Sequence, residues 1–449
     1  MELTGKRVVV VGLGKSGVAA AKLCLARGAL VTGTDSAAAD KLSPEARALG
    51  IPLVLGGHAD ARLGGAQLVV VSPGVPDFPE LKRAELSGVE VIGELELATR
   101  FIEAPIVAIG GTNGKSTTTT LIGDMFRANG LDAFVGGNLG TPSAEAAFGQ
   151  YDVVVLEVSS FQLERAPLFQ PRVSVLLNIS EDHLDRYATF LAYAETKGNA
   201  FPNQNPDDFA IVPDGDSDCE AQAKRGKGQI VRFGAYGDYV VSGRTVSETR
   251  TGELFDLESS ALHGRHNIEN AAAAIAAVRA LDLSASAIRK ALLDFRPLPH
   301  RMARVASVRG VTFYDDSKGT NVGAAVTALR GLSEARGVLI AGGRDKQGSY
   351  EPLVQALEAK GRAVVVLGEA AEHIAQAVGS RVPLVRASSM VDAVNQAFSR
   401  ALAGDAVLLS PACSSFDMFK SYAERGDRFV SAVLGLAENQ AENQAESPA

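Results

Sequence analysis

Residues 106–129, IVAIGGTNGKSTTTTLIGDMFRAN, carry the strand, turn and helix start that decide the fold. Ile106, Val107, Ala108 and Ile109 read as a short buried strand, Gly110 to Gly114 as a glycine-rich turn, and Lys115-Ser116-Thr117 as the opening of a helix that stops at Gly130. That order predicts a phosphate cradle. Glycines let main-chain N–H groups converge on an anion, and the helix start adds its positive end. Lys115 then reaches the terminal phosphates, and the Ser116 or Thr117 hydroxyl can ligate magnesium. The loop is one residue shorter than the general pattern, because Ile109 stands where a first glycine is expected.

Composition sets the frame around this stretch. A chain of 449 residues predicts two to four domains, at roughly 150 residues apiece. Hydrophobic content of 46% beside 21% charged residues is that of a globular enzyme, and a net charge of -8 argues against a polyanion-binding surface, so nucleic acid is not expected as a partner. The three cysteines, Cys24, Cys219 and Cys413, are far apart and in no metal-ligand spacing, which predicts neither disulfides nor zinc. Without a signal-peptide pattern or an apolar run of about 20 residues, the expected setting is cytoplasmic, with no membrane insertion.

Outward from the cradle, the pattern is alternating strands and helices. Lys6 to Val11 is a strand followed by Gly12-Leu13-Gly14-Lys15-Ser16-Gly17 and an alanine-rich helix. A second strand from Ala29 ends in Asp35, where a dinucleotide-binding unit places its ribose-binding acid. Read alone, this opening suggests a nicotinamide cofactor. A third strand, Gln67 to Val71, runs into Ser72-Pro73-Gly74, and the first domain closes near Gly93. After the cradle, Gly136-Gly137-Asn138 is either a turn or a substrate contact. The strand Asp152 to Leu156 ends in Glu157, an acid placed as the magnesium-side carboxylate of phosphate-loop proteins. His183 either orients the following helix or ligates a metal, and Lys197 reads as a solvated surface lysine. Asn267 and Asn270 precede a helix expected over 271–281, as caps or nucleotide contacts. Pro297-Leu298-Pro299 marks a second boundary, giving domains of 1–93, 94–297 and 298–449. The last domain offers turns carrying Lys318, Thr320, Lys346 and Ser415, a pocket for a small carboxylate. Residues 437–449 read as a disordered or frayed end.

With these residues assembled, the chain resembles the Mur ligase family over all but its tail. The motifs are Gly111-Thr112-Asn113-Gly114-Lys115-Ser116-Thr117, Glu181-Asp182-His183-Leu184-Asp185-Arg186-Tyr187, His266-Asn267-Ile268-Glu269-Asn270, His300-Arg301-Met302 and Asp316-Ser317-Lys318-Gly319-Thr320-Asn321. The early glycine motif and the stretch Ser410 to Lys420 point within the family to its D-glutamate-adding member.

The resemblance implies a three-domain α/β fold: a Rossmann-like UDP-binding domain, a central ATPase-type parallel sheet and a C-terminal Rossmann-like domain. It implies an ADP-forming ligase that joins D-glutamate to UDP-N-acetylmuramoyl-L-alanine through an acyl phosphate, acting as a monomer. Lys15, Ser16, Asp35, Ser36, Ser72, Pro73, Gly74 and Asn138 become contacts to the UDP substrate, with Ala37 where some relatives carry a basic residue. Asn267, Asn270, Arg301 and Asp316 join Gly111 to Thr117 around ATP. Ser116, Glu157, His183 and a carbamate on Lys197 hold two magnesium ions. Lys318, Thr320, Lys346, Ser415, Phe416 and Tyr422 take D-glutamate. Gly198-Asn199-Ala200 departs from the usual sequence after that lysine. A nicotinamide-dependent oxidoreductase, a phosphate-loop binding module, another Mur ligase and a folylpolyglutamate-synthase-like ligase are the alternatives.

Overall fold

The computed structural model describes residues 1–183, 186–262, 264–346 and 348–445; Leu184 and Asp185 of the acidic motif lie outside the described residues. Among the described residues three sheets are present, divided between two compact units. The larger unit comprises Met1–Ile179, Leu191–Ser260 and Asn267–Phe295 and contains the first two sheets; the second comprises Ser180–Phe190, Ala261–His266 and Arg296–Ala449. Ser180–Phe190 and Ala261–His266, expected in the central domain, therefore cluster with the third sheet.

The first sheet is parallel throughout: β1 (Arg7–Val11), β2 (Leu30–Asp35), β3 (Leu53–Leu55), β4 (Leu68–Val71) and β5 (Glu90–Gly93), in the order β3-β2-β1-β4-β5. The valines of β1 and β4 are buried on both faces, which is why these strands read as unbroken apolar runs. Strand order reverses between β1 and β4, so the glycine turn and Ser72-Pro73-Gly74 flank the switch-point crevice.

The central sheet contains β6 (Ile106–Gly110), β7 (Ala133–Gly137), β8 (Val153–Glu157), β9 (Val173–Leu176), β10 (Phe209–Pro213), β11 (Gln229–Gly234), β12 (Tyr239–Ser242), β13 (Thr245–Glu248) and β14 (Leu254–Asp256). Their order is β14-β13-β12-β11-β10-β9-β6-β8-β7. The sheet is parallel as far as β12 and then turns antiparallel, because Gly243, at φ 57°, makes the tight hairpin that pairs Ser242 with Thr245. The helix expected from Ala271 begins earlier, at Arg265, and runs to Arg279. Asn267 and Asn270 are thus three residues apart on one helical face.

In the third sheet β15 (Ala303–Val308) pairs antiparallel with β16 (Val311–Asp315), and the rest is parallel: β17 (Gly337–Gly342), β18 (Gly361–Leu367), β19 (Leu384–Arg386) and β20 (Ala406–Leu409), in the order β15-β16-β20-β17-β18-β19. A final helix, Tyr422–Ala445, corrects the expected frayed end as far as Ala445. Phe429, Val433 and Leu436 recur at helical spacing and pack into the third-sheet core, and the Ala-Glu-Asn-Gln repeat beyond them holds no glycine or proline to stop the helix.

Within the larger unit the passage from first to second sheet is tightly packed. Gly93 N–H donates to the Arg165 carbonyl at 2.7 Å, and Arg165 Nη2 pairs with Asp77 at 2.7 Å. Glu94 is fully buried: one carboxyl oxygen accepts the Ala144 N–H at 2.6 Å and the other has no partner among the described residues. Burial pushes this carboxyl up to about 7. Because the folded pKa lies above the unfolded one, the fold binds the extra proton, and this group costs stability as pH rises from about 4 to 7. Glu94→Gln should therefore stabilise the protein by about 2 kcal/mol at pH 8, with the gain fading by about pH 4. Urea unfolding of both proteins across that range checks this; a pH-independent difference would mean Glu94 is ionised in the fold.

Candidate active site

Ile109 is still in β6, paired with Glu157 of β8, so the strand consumes the position where a longer loop would begin. The turn then uses Gly111 at φ 136° and Gly114 at φ 85°, left-handed conformations that side chains resist. A Cβ at Gly114 would lie 2.3 Å from Asn270 Oδ1, so glycine is required for this asparagine to sit against the loop. Asn270 Nδ2 in turn donates to Asn267 Oδ1 at 3.3 Å. Among the described residues no side chain caps the start of the helix Lys115–Ala128, and a helix start of this kind suits an anion, with Thr117 half-buried in the first turn. Lys115 Nζ folds back onto the Gly111 and Thr112 carbonyls, both at 2.8 Å. Asn178, just beyond β9, braces the turn: its carbonyl accepts from Thr112 N–H at 3.0 Å, its Oδ1 from Asn113 N–H at 2.9 Å, and its Nδ2 donates to the Asn113 carbonyl at 3.1 Å.

Glu157, at the end of β8, is only 2% exposed and is gripped on both oxygens. Ser116 Oγ donates to Oε2, and Asn138 Nδ2 to Oε1 at 2.6 Å. Asn138 N–H also bonds the Glu157 carbonyl at 2.8 Å, so the strand-terminal acid positions the amide that follows β7. Lys197 corrects the surface reading: it is 4% exposed, donates to the Gly111 carbonyl at 2.8 Å and lies 4.6 Å from the Tyr193 ring centroid. Tyr193 OH is 3.2 Å from Thr112 Oγ1. The unusual Gly198 has a local cause, since a Cβ there would meet Gln222 Oε1 at 2.2 Å and Arg225 Nη1 at 2.5 Å. Arg225 bonds the Glu195 carbonyl and, at 2.9 Å, Asn199 Oδ1, closing the end of the helix that carries Lys197.

In the first sheet, Asp35 is the brace of the glycine turn. Its two oxygens accept Leu13 N–H at 2.6 Å and Ala37 N–H at 2.8 Å. Ser72 Oγ donates to the Gly12 carbonyl at 2.8 Å, and a Cβ at Gly17 would fall 1.7 Å from that carbonyl. The helix Lys15–Ala26 also starts without a side-chain cap among the described residues. Lys15, Ser36 and Gly74 are exposed beside this turn, with Ser16 and Pro73 half-buried.

The third-sheet turns leave adjacent strands β16, β20 and β17. Arg425, 2% exposed, ties all three: Nε donates to Ser317 Oγ at 3.0 Å, Nη2 to the Ser317 carbonyl at 2.8 Å, and Nη1 to the carbonyls of Cys413 at 3.1 Å and Gly342 at 3.5 Å. Burial draws its pKa down to about 10. Asp316 is buried and accepts Ser410 Oγ at 2.7 Å and Met302 N–H at 3.3 Å; burial raises it to about 7, with Ser410 and Arg301 opposing. His300 Nδ1 lies 2.6 Å from Asp315 Oδ2, and His300 and Met302 both have positive φ. Lys318 Nζ stands 4.1 Å from the Tyr422 ring centroid. Lys346 Nζ donates to Asp182 Oδ1 at 2.9 Å. Thr320 is half-buried and Ser415 buried, whereas Phe416 is 66% exposed. Cys413 is buried filler, its thiol pushed up to about 11 by burial.

Sequence comparison places a MurD-like N-terminal Mur ligase domain at residues 6–93, the Mur ligase middle domain at 109–278 and the Mur ligase glutamate ligase domain at 300–413. The chain belongs to the Mur ligase family. It is 45% identical to the UDP-N-acetylmuramoylalanine–D-glutamate ligase of Desulfosudis oleivorans, covering 98% of each chain, and 44% identical to the enzyme of that name from Geotalea daltonii, covering 97% of this chain and 99% of that one. Among solved structures, the MurF ligase of Thermotoga maritima in complex with ADP is similar with a TM-score of 0.63 at 18% identity, over 98% of this chain and 96% of that one, a likeness of fold.

In this Mur ligase the larger unit brings together Gly111 to Thr117, Asn138, Glu157, Lys197, Asn267 and Asn270, while Arg301, Asp316, His183 and the six residues expected at D-glutamate belong to the second unit. Ser116 and Glu157 offer hard oxygen donors of the kind magnesium takes, and Lys197 would add oxygen only as a carbamate. Among the described residues no cluster of three His, Cys, Asp or Glu forms a ready-made metal site. Asn178 and Tyr193 in the larger unit, and Asp182 and Arg425 in the second, bond to residues expected to be functional without having been assigned a role from sequence. Only Asn178, an amide ending an apolar strand, left a signal that reading could have used.

Proposed function

We propose that this Mur ligase adds D-glutamate to UDP-N-acetylmuramoyl-L-alanine in peptidoglycan precursor synthesis, converting ATP to ADP and phosphate. The reading is carried by one arrangement: an uncapped helix start at Gly114, with Lys115 on its loop, beside a buried Glu157 that joins Ser116 to Asn138. It is supported by the relatives of that name across nearly the whole chain.

A carboxylate is a poor electrophile toward an amine. The γ-phosphoryl group passes to an oxygen of the L-alanyl carboxylate as its bond to ADP breaks; the D-glutamate amine then attacks the acyl carbon, phosphate leaves, and the amine proton is released. Phosphoryl transfer of this kind depends on alignment and charge neutralisation more than on covalent chemistry. The amides after Gly111 and the Lys115 ammonium hold the phosphates, while Asn138 orients the acceptor. Ser116, Glu157, His183 and a carbamate on Lys197 would hold two magnesium ions, which supply further positive charge to the phosphates. The turn braced by Asp35, with Lys15, Ser16, Ser36, Ser72, Pro73 and Gly74, receives the UDP end. Lys318, Thr320, Lys346, Ser415, Phe416 and Tyr422 receive D-glutamate, and Asn267, Asn270, Arg301 and Asp316 the nucleotide. The proposed setting is the cytoplasm, as a monomer; among the described residues no helix is long and apolar enough to cross a membrane.

Phosphate release with each substrate omitted in turn tests this. Release should need ATP, UDP-N-acetylmuramoyl-L-alanine and D-glutamate together, and ADP formation indifferent to the last two would end the ligase reading.

A further inference from the structure

Lys346, which the proposed function assigns to an amino-acid carboxylate, already holds a carboxylate from its own chain. Asp182 Oδ1 lies 2.9 Å from Lys346 Nζ, and Asn321 Nδ2 donates to Asp182 Oδ2 at 3.1 Å. The amide of Asn321 is fixed in that sense because its Oδ1 accepts the Ala324 N–H at 2.8 Å, leaving Nδ2 to face an acceptor. The turn is wound around the same carboxylate: His183, in the left-handed region at φ 55°, donates its N–H to Asp182 Oδ1 at 3.0 Å. The ion pair is sheltered, with side chains 7% and 17% exposed. Asp182 sits in Ser180–Phe190, which packs with the third-sheet unit although the chain on both sides of it belongs to the other unit.

A sheltered ammonium satisfies one carboxylate well and two poorly, since a second anion beside the first adds like-charge repulsion in a poorly solvated place. D-glutamate carries two carboxylates. We propose that Asp182 is an internal stand-in for the substrate, occupying the Lys346–Asn321 seat until the amino acid displaces it. The seat is then preformed to carboxylate geometry yet guarded against weak anions, because affinity is reduced by the fraction of molecules in which Asp182 fills it.

This inference rests on the proposed D-glutamate site, and calorimetry separates the two. D-glutamate and glutarate, which has both carboxylates and no amine, are titrated into the full-length protein and its Asp182→Asn, Asp182→Ser and Lys346→Ala variants, each checked for cooperative melting. Either Asp182 variant should bind both ligands about five- to tenfold more tightly, as removal of a competing internal occupant requires. Weaker D-glutamate binding with glutarate unchanged would make Asp182 the partner of the substrate amine and overturn the proposal; unchanged binding of both would overturn it as well. If Lys346→Ala binds both ligands as the parent does, the assigned D-glutamate site itself fails.

Discussion

Glu157→Ala should lower substrate-dependent ADP formation by about a hundred- to a thousandfold, the loss typical of removing one preorganised electrostatic group from a reacting centre. The carboxylate is buried, its two oxygens are taken by Ser116 and Asn138, and its backbone carbonyl holds the Asn138 N–H. Truncation removes the negative charge beside the phosphate loop and leaves two polar side chains without their shared acceptor. Glu157→Gln separates these effects, since it keeps an acceptor for one neighbour but not the charge. Steady-state ADP release with both substrates saturating is the measurement. Activity within a few fold of the parent in Glu157→Ala would remove this residue from the chemistry.

Arg425→Met should cost about 3 kcal/mol of stability, because several buried acceptors lose a charged donor at once. The guanidinium bonds Ser317 and Cys413, in the turns after β16 and β20, and Gly342, the last residue of β17. Those turns and the one after β17 carry Lys318, Ser415 and Lys346, so the KM for D-glutamate should rise while the KM for ATP changes little. Urea unfolding and substrate titration check the two parts. A variant with parental stability and unchanged KM for D-glutamate would show that the turns keep their shape without this tie.

The phosphate loop was legible because the residues that signal it are local. A strand, glycines able to take positive φ, a lysine and a helix start lie within one short stretch, so the pattern is readable there even though Asn178 and the neighbouring strands brace it in the fold. Glu157 was legible for a related reason: an acid at the end of an apolar strand is conspicuous, and strand order then places it beside β6. The shortened loop also had a local cause, Ile109 continuing the strand. Lys197 was not legible from its neighbours. Its burial comes from the Gly111 carbonyl and the Tyr193 ring, and nothing in Ala194-Glu195-Thr196 records either. The reach of the final helix past Leu436 was not legible, because the composition of residues 437–449 carries no register, whereas Phe429, Val433 and Leu436 upstream supply the burial that anchors the helix.

By itself the sequence determined the alternation of strand and helix, the cradle for a phosphate, the acid beside it and the lysines and hydroxyls gathered in the last domain. These follow from backbone conformation and periodicity, which neighbouring residues set. Only the tertiary structure decided what each side chain touches: Asp35 bracing the glycine turn after β1, Asn178 bracing the phosphate loop, Arg425 joining three turns, and Asp182 meeting Lys346 across 164 positions of chain. Such contacts depend on how separate elements stack, and burial and charge pairing in the folded chain select them without leaving a local pattern.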